Sequence, residues 1–308
     1  MSEKKPSSTR LIIVLSIALL AVSTSSILIR FAQKEAPSLV ISASRLLLAS
    51  LFLAPSALTK YRGELRKLSR KDLILGLLSG ILLAIHFATW ITSLEYTTIT
   101  NSVVLVSTSP LWVAILAPIF LKEKLTKNII FGMILTLIGG TIIGFSQGCI
   151  WDGGITCASR TQIGLAEAEK GNFLALAGAW AIAGYLLIGR NLRAKMNLIP
   201  YIFLVYGMGA IVMLVILMAT GNTIFGYSPI TYFWLLLIAI FPQLIGHSTY
   251  NWALRYLPVA LVSVTTLGEP IASSILAFLI LKEVPTTLQI VGGILILAGI
   301  YVTSRKKN

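Results

Sequence analysis

The chain contains two similar halves offset by 160 residues, and the matching positions lie in long apolar segments. Without gaps, residues 94–139 match residues 254–299 at 17 of 46 positions. The matches keep one register for residues that hydrophobicity alone would not align: Pro110 with Pro270, Leu121-Lys122-Glu123 with Leu281-Lys282-Glu283, and Gly132 and Gly139 with Gly292 and Gly299. Internal duplication of an apolar chain is typical of secondary transporters.

The composition indicates an integral membrane protein. Of the 308 residues, 56% are hydrophobic and only 12% are charged, whereas a soluble domain carries about 25% charged residues. The net charge of +14 does not indicate nucleic-acid binding, because the basic residues lie in short loops between apolar segments, where they orient a membrane protein. The first apolar run spans a bilayer and is not followed by a soluble domain, which argues against a signal peptide.

We predict an all-α fold with ten transmembrane helices, because each apolar segment has close to the roughly 20 residues that cross the hydrocarbon core. The predicted spans are 11–32, 37–58, 73–93, 98–121, 128–146, 171–189, 199–219, 231–253, 259–281 and 287–304. The corresponding division is a first repeat at 1–150, an outside loop at 151–170 and a second repeat at 171–308.

The distribution of basic residues predicts the orientation. With the N-terminus in the cytoplasm, 19 of the 25 Lys and Arg residues fall in inside segments and five in outside segments, while Arg45 lies within a span. This bias predicts a multi-pass protein of the plasma (inner) membrane with both termini cytoplasmic. Since each half has an odd number of spans, the two repeats are expected to be inverted relative to each other.

The polar loop at 147–170 holds the two cysteines of the chain, Cys149 and Cys157. The predicted orientation places this loop outside, where the pair would form a disulfide in an oxidising compartment. Two free thiols are the alternative. We expect no metal site, because no histidine or acidic cluster accompanies the cysteines.

The pattern resembles the EamA-type carriers of the drug/metabolite transporter superfamily, and among them the YddG-like amino acid and metabolite exporters. The residues that carry the resemblance are Ser109-Pro110 and Leu121-Lys122-Glu123 in one half, and Glu269-Pro270 and Leu281-Lys282-Glu283 in the other. The resemblance implies a permease for small organic solutes, often an exporter. At the position equivalent to Glu269 the first half has Ser109, so we do not expect the two positions to act alike.

Charged residues within the predicted spans are the first candidates for function, because burying them in a membrane is costly. Glu269 is the only acidic residue well inside a span and Arg45 the only basic one. Glu269 adjoins Pro270, which frees a backbone carbonyl. We predict that Glu269 binds a substrate amine or carries a coupling proton; the alternative is a packing role with a hydroxyl or with Arg45.

Polar and aromatic residues at helical spacing predict a substrate cavity. His86 and Trp90 share a face of span three, and Trp90 maps onto Tyr250 through the offset of 160. The remaining cavity candidates are Asn101, Thr108, Trp112, Trp180, Gln243, His247 and Asn251. For the two histidines, hydrogen bonding between helices is an equally good interpretation.

The favoured function is secondary transport by alternating access, with export of amino acids or related metabolites and no cofactor. The expected partners are a small-molecule substrate and the lipid bilayer. A nucleotide-sugar or sugar-phosphate carrier is less favoured, because Arg45 is the only embedded cation. Gly246-His247-Ser248 does not support an enzyme, because adjacent helix positions do not face each other. A channel filter is not visible either.

Overall fold

The computed structural model describes residues 6–123, 125–145, 149–151, 155–157, 165–282, 284 and 286–304. Helices dominate this part of the chain. We number the long ones α1 (Ser8–Ala32), α2 (Ser38–Leu58), α3 (Arg70–Tyr96), α4 (Ile99–Val106 and Ser109–Phe120), α5 (Lys127–Phe145), α6 (Leu165–Arg193), α7 (Leu198–Thr220), α8 (Pro229–Ala253), α9 (Val259–Ile280) and α10 (Thr287–Ser304). Several basic residues used for the orientation, namely Lys4, Lys5, Lys124, Arg160 and Arg305-Lys306-Lys307, lie outside the described residues.

Eight of these helices are long and apolar enough to cross a membrane: α1 to α4 and α6 to α9. The helices α5 and α10 occupy the positions of predicted spans five and ten, with shorter apolar stretches at Lys127–Ile142 and Ile290–Gly299. Their surfaces carry exposed large apolar residues such as Ile134, Ile138 and Ile294, which suit contact with lipid. The chain is therefore an integral, multi-pass membrane protein.

Several helices are interrupted near their middle. The two segments of α4 meet at Ser107 and Thr108, and α9 contains a 3-10 turn at Thr266–Gly268. Each interruption precedes a proline, Pro110 or Pro270, whose ring cannot continue the preceding hydrogen-bond pattern. The interruptions lie at equivalent positions of the two repeats, since residues 107 and 108 correspond to residues 267 and 268 at the offset of 160.

The helix α8 contains a π-helical segment, Ala239–His247, which includes Pro242. A π-turn inserts one residue into a helix and is frequent at functional sites. Its equivalent, α3, is α-helical over its whole length. The serine that caps α3, Ser69, corresponds to the serine that caps α8, Ser228, at an offset of 159 rather than 160, so α8 accommodates one extra residue.

Contacts between helix ends agree with helices that alternate in direction. Glu64 accepts hydrogen bonds from the backbone and side chain of Asn197 at 2.7 Å, which joins the short helix Arg62–Arg66 between α2 and α3 to the start of α7. The ends on the opposite side are joined in the same way, since Glu35 accepts from Ser228 before α8. The Ser228 and Thr231 hydroxyls hold the pKa of Glu35 below its usual value.

The predicted loop between the repeats contains two short paired strands. Strands β1 (Cys149–Trp151) and β2 (Ile155–Cys157) form an antiparallel hairpin in which Cys149 lies directly opposite Cys157. The helix α6 begins at Leu165, within the region that the sequence predicted to be loop. This hairpin is an addition to the all-α prediction, and its register is compatible with a cross-strand disulfide.

Candidate functional site

A central cavity of about 50 Å³ lies where α1, α3, α4, α6, α8 and α9 meet. Five predicted residues line it: His86 and Trp90 from α3, His247 and Tyr250 from α8, and Glu269 from α9. The residues that complete the wall are Val22, Ser25, Val106, Ser107, Ser109, Ile182, Tyr185, Leu186 and Thr266. Both repeats therefore contribute to one site inside the helix bundle.

Most of the cavity wall consists of residues at equivalent positions of the two repeats. Ten of its fourteen residues form five pairs at an offset of 160: Val22 with Ile182, Ser25 with Tyr185, Trp90 with Tyr250, Val106 with Thr266, and Ser109 with Glu269. The equivalent helices thus meet around a common centre. The members of several pairs differ in chemistry, so the cavity is symmetric in position but not in composition.

The two histidines lie close together in this wall. The His86 ring stacks on Trp90, with centroids 5.8 Å apart and planes at 14°, and its centroid is 6.3 Å from that of His247. His86 Nδ1 lies 2.9 Å from the carbonyl oxygen of Gly178 in α6. Because a carbonyl only accepts, Nδ1 carries the proton, and Nε2 is the acceptor of the neutral ring. His86 therefore combines a contact between helices with a place in the cavity.

Two buried polar groups of the cavity have no hydrogen-bond partner among the described residues, namely the Nε1–H of Trp90 and the hydroxyl of Tyr250. A buried polar group without a partner costs about 1–3 kcal/mol, so an arrangement that leaves two in one cavity is poor for stability alone. The carboxyl group of Glu269, which is partly buried, lies in the same wall. The cavity therefore offers a ligand two donors and a carboxyl group.

Arg45 is fully buried beside this cavity and is engaged within the bundle. Its Nε donates to Gln243 Oε1 at 2.6 Å, its Nη1 donates to Ser25 Oγ at 2.9 Å, and its guanidinium lies 3.9 Å from the centre of the Phe87 ring. The π-helical segment of α8 supplies Gln243. The predicted cavity residue Gln243 thus lies behind the cavity wall, where it holds Arg45.

Asn251 also lies behind the wall. Its Nδ2 donates to the Tyr185 hydroxyl and, at 2.8 Å, to the carbonyl oxygen of His247. Tyr185 itself lines the cavity, so Asn251 fixes one cavity residue without reaching the space.

Four further predicted residues lie away from the central cavity. Trp180 is 46% exposed and meets Trp112 edge to face at 5.5 Å. Asn101 is buried near the start of α4 with Oδ1 unpaired in the described part of the chain. Thr108 lines a second cavity, of about 270 Å³, between α4, α5, α6, α9 and α10. That cavity is mostly apolar, and the Thr108 hydroxyl already donates to the Leu105 carbonyl at 2.7 Å.

Sequence reasoning missed the contribution of α1 and left Tyr185 out of the cavity candidates. Ser25 belongs to a run of four hydroxyl residues, 23–26, inside an apolar span, and this run was the available signal. Tyr185 occupies the position equivalent to Ser25, which would have identified it once α1 was included.

The model of the EamA-like transporter family matches the chain twice, at residues 9–145 and 169–305, again at an offset of 160. An uncharacterized transporter of Archaeoglobus fulgidus is 26% identical over 96% of this chain and 98% of its own length. The uncharacterized transporter sll1164 of Synechocystis sp. is 30% identical over 77% of this chain and 66% of its own length. A crystal structure of a protein that is 16% identical shares the fold, with a TM-score of 0.73 over 97% of both chains. The chain therefore belongs to the EamA-like transporter family, within the drug/metabolite transporter superfamily.

Proposed function

We propose that this membrane transporter is a secondary exporter of amino acids or closely related metabolites. In this proposal ten spans form two inverted five-helix repeats, and the central cavity is the substrate site. The two family matches at an offset of 160, the repeat-related pairs in the wall and the odd number of helices per half support the arrangement. The basic residues of the loops support cytoplasmic termini in the plasma membrane.

The unpartnered polar groups of Trp90 and Tyr250, together with the Glu269 carboxyl group in the same wall, are the observation that carries the substrate class. The Glu269 carboxylate suits an ammonium group, whereas Trp90 Nε1–H and the Tyr250 hydroxyl suit a carboxylate or carbonyl oxygen. A zwitterion presents both kinds of group at short separation. The ring faces of His86 and Trp90 supply apolar area for a side chain.

The size of the cavity supports alternating access. At about 50 Å³ it is several times smaller than pockets that hold drug-sized ligands, which are roughly 300–1,000 Å³. A substrate therefore enters only when the surrounding helices move apart. The interruptions of α4 and α9 border the cavity and provide places where such a movement can occur.

A carrier of phosphate esters is the second candidate, and Arg45 argues against it. An anionic substrate at this depth needs a cation that is free to bind it. Arg45 instead donates from Nε to Gln243 and from Nη1 to Ser25, and it lies against the Phe87 ring. Only its Nη2 has no partner in the described part of the chain, and Arg45 does not line the cavity. The family membership and the absence of a nucleophile–base contact in the described cavity also favour a transporter over an intramembrane enzyme.

Flux through reconstituted liposomes tests the proposal. The purified protein is screened against amino acids and simple metabolites, with and without a pH gradient. We expect Glu269→Gln to reduce flux at least tenfold or to remove its pH dependence, because the amide offers no charge to an ammonium group or proton. Glu167→Gln, which changes an exposed carboxylate of α6, is the matched control. Normal flux and pH dependence in Glu269→Gln would rule out the assigned role.

A second measurement tests the ring faces. Alanine at His86 and Trp90 is expected to change the order of preferred substrates, because both rings border the cavity. Trp180→Ala removes an exposed indole and serves as the control. If the double variant and the control keep the same substrate order, α3 does not form the substrate wall.

A further inference from the structure

The end of α4 has an unusual backbone that it shares with the end of α9. Lys122 has φ 56° and Lys282 has φ 60°, and these are the only non-glycine residues with positive φ in the described part of the chain. The two positions are related by the offset of 160. Left-handed backbone is costly for a residue with a side chain, so it persists where the surroundings require it. At Lys122 it turns the chain sharply and directs the next residue, Glu123, back toward the helix bundle.

Glu123 bonds to two elements of the second repeat, and one of its partners bonds to a third. Its Oε1 accepts from Arg190 Nε at 2.7 Å, which forms an ion pair with α6, and its Oε2 accepts from the backbone N–H of Val259 at 3.1 Å, at the start of α9. Arg190 Nη1 also donates to the carbonyl oxygen of Leu254 at 2.7 Å, at the end of α8. The side chains are 25% and 20% exposed, so water screens the pair only in part.

The opposite face of the bundle carries the repeat-related arginine. Arg30, 160 residues before Arg190, donates from Nη2 to the carbonyl oxygen of Thr97 at 2.9 Å, at the end of α3. Arginines at equivalent positions thus hold the end of α3 on one face and the end of α8 on the other. Glu283, the counterpart of Glu123, lies outside the described residues.

We propose that the contact of Glu123 with Arg190 and Val259 is a latch that closes the face where α4 and α6 end. The inference rests on the proposed alternating access between repeats. Glu123 belongs to the first repeat and all its partners belong to the second, so any movement of one repeat against the other that opens this face must break these bonds.

Distance measurements between spin labels in nanodiscs test the latch without a substrate. Labels at Lys127→Cys and Ala194→Cys, both exposed, report the separation of the two repeats on this face; Cys149 and Cys157 are replaced by Ser. We expect Glu123→Gln to raise the ratio of long to short distances about tenfold, because a hydrogen-bonded ion pair loses its charge while the side-chain shape is retained. Arg190→Gln should act in the same direction.

Lys195→Gln is the matched control. It breaks the ion pair of Lys195 with Asp72, at 3.1 Å, which joins the same two repeats but is more exposed, with 54% of the lysine side chain accessible. We expect it to change the ratio less than about twofold. Unchanged distances in both Glu123→Gln and Arg190→Gln, or an equal change in the control, would overturn the latch. A wild-type protein that moves no tested solute would instead contradict the proposed function, whatever the distances show.

Discussion

The crossing of α5 and α10 leads to a prediction about stability with internal controls. A Cβ added at Gly139 would lie 2.5 Å from the carbonyl oxygen of Gly292, and a Cβ added at Gly299 would lie 2.5 Å from that of Gly132. The offset of 160 exchanges the two contacts, since it converts 132 into 292 and 139 into 299. The helices thus meet at two equivalent points, where only glycine permits the approach.

The size of the effect follows from these distances. Carbon and oxygen normally stay more than 3 Å apart, and backbone cannot rotate away as a side chain can, so alanine at Gly139 must separate the helices by about 0.5–1 Å. Such overpacking costs roughly 1–3 kcal/mol. The gain in helix propensity from Gly to Ala partly offsets this cost, but it is the same at the neighbouring Gly140, where the added Cβ would meet Val104 at an acceptable 3.5 Å. The difference between Gly139→Ala and Gly140→Ala therefore isolates the contact.

Unfolding in mixed micelles of dodecyl maltoside and sodium dodecyl sulfate measures these free energies. We expect Gly139→Ala to be less stable than Gly140→Ala by about 1–3 kcal/mol, and Gly299→Ala to match Gly139→Ala. The variant with both Gly139→Ala and Gly299→Ala should lose less free energy of unfolding than the two single variants together. Helices that have already separated at one point accommodate the second Cβ. Equal stability of Gly139→Ala and Gly140→Ala would refute the close crossing, and strict additivity would refute the shared displacement.

Three other predictions concern single contacts. Gln243→Leu should lower the free energy of unfolding by about 1.5–3 kcal/mol, because it leaves the buried Arg45 Nε unpaired. The double variant Gln243→Leu/Arg45→Met should recover part of that loss in the same unfolding titration. If it recovers nothing, the pairing is contradicted. Cys149 and Cys157, opposite each other in the hairpin, should react with a maleimide only after reduction, and labelling of unreduced protein would exclude the disulfide. The pKa of Glu35 is lowered in the folded state, so its contribution to stability is present above the unfolded pKa and is lost as the pH falls through the folded pKa. The melting temperature of Glu35→Gln should therefore lack this fall at acidic pH. Identical plots of melting temperature against pH for the two proteins would disprove the contribution.

The sequence could predict the apolar helices and the side chains that share one face of a helix. The segments that cross a membrane are set by hydropathy over about 20 residues, which is a local property of the chain. His86 and Trp90 in one helix, and His247 and Tyr250 in another, lie on one face by the period of 3.6 residues, and the structure brings both faces to one cavity.

Other features depend on tertiary contacts that periodicity does not contain. Trp180 lies near the middle of a span, but its indole is exposed at the protein surface, because in a membrane an aromatic ring suits lipid as well as a cavity. Gln243 has the spacing of the cavity face, but the π-helical segment turns it toward Arg45. The hairpin at Cys149 depends on pairing between two strands of three residues each, which hydropathy does not predict.

The π-helical segment explains how a duplicated scaffold obtains an asymmetric site. The capping residues Ser69 and Ser228 are offset by 159, whereas Trp90 and Tyr250, beyond the segment, are offset by 160. The extra residue rotates the first part of α8 by about 100° relative to its cavity face. Tyr250 therefore keeps the place equivalent to Trp90, while Gln243 turns away from the cavity and binds Arg45. The second repeat has no equivalent of this arginine, because Val205 occupies the position that corresponds to Arg45. Removing one residue from the segment should restore the regular helix and break the bond to Arg45, so the asymmetry of the site depends on this insertion as much as on the exchange of Ser109 for Glu269.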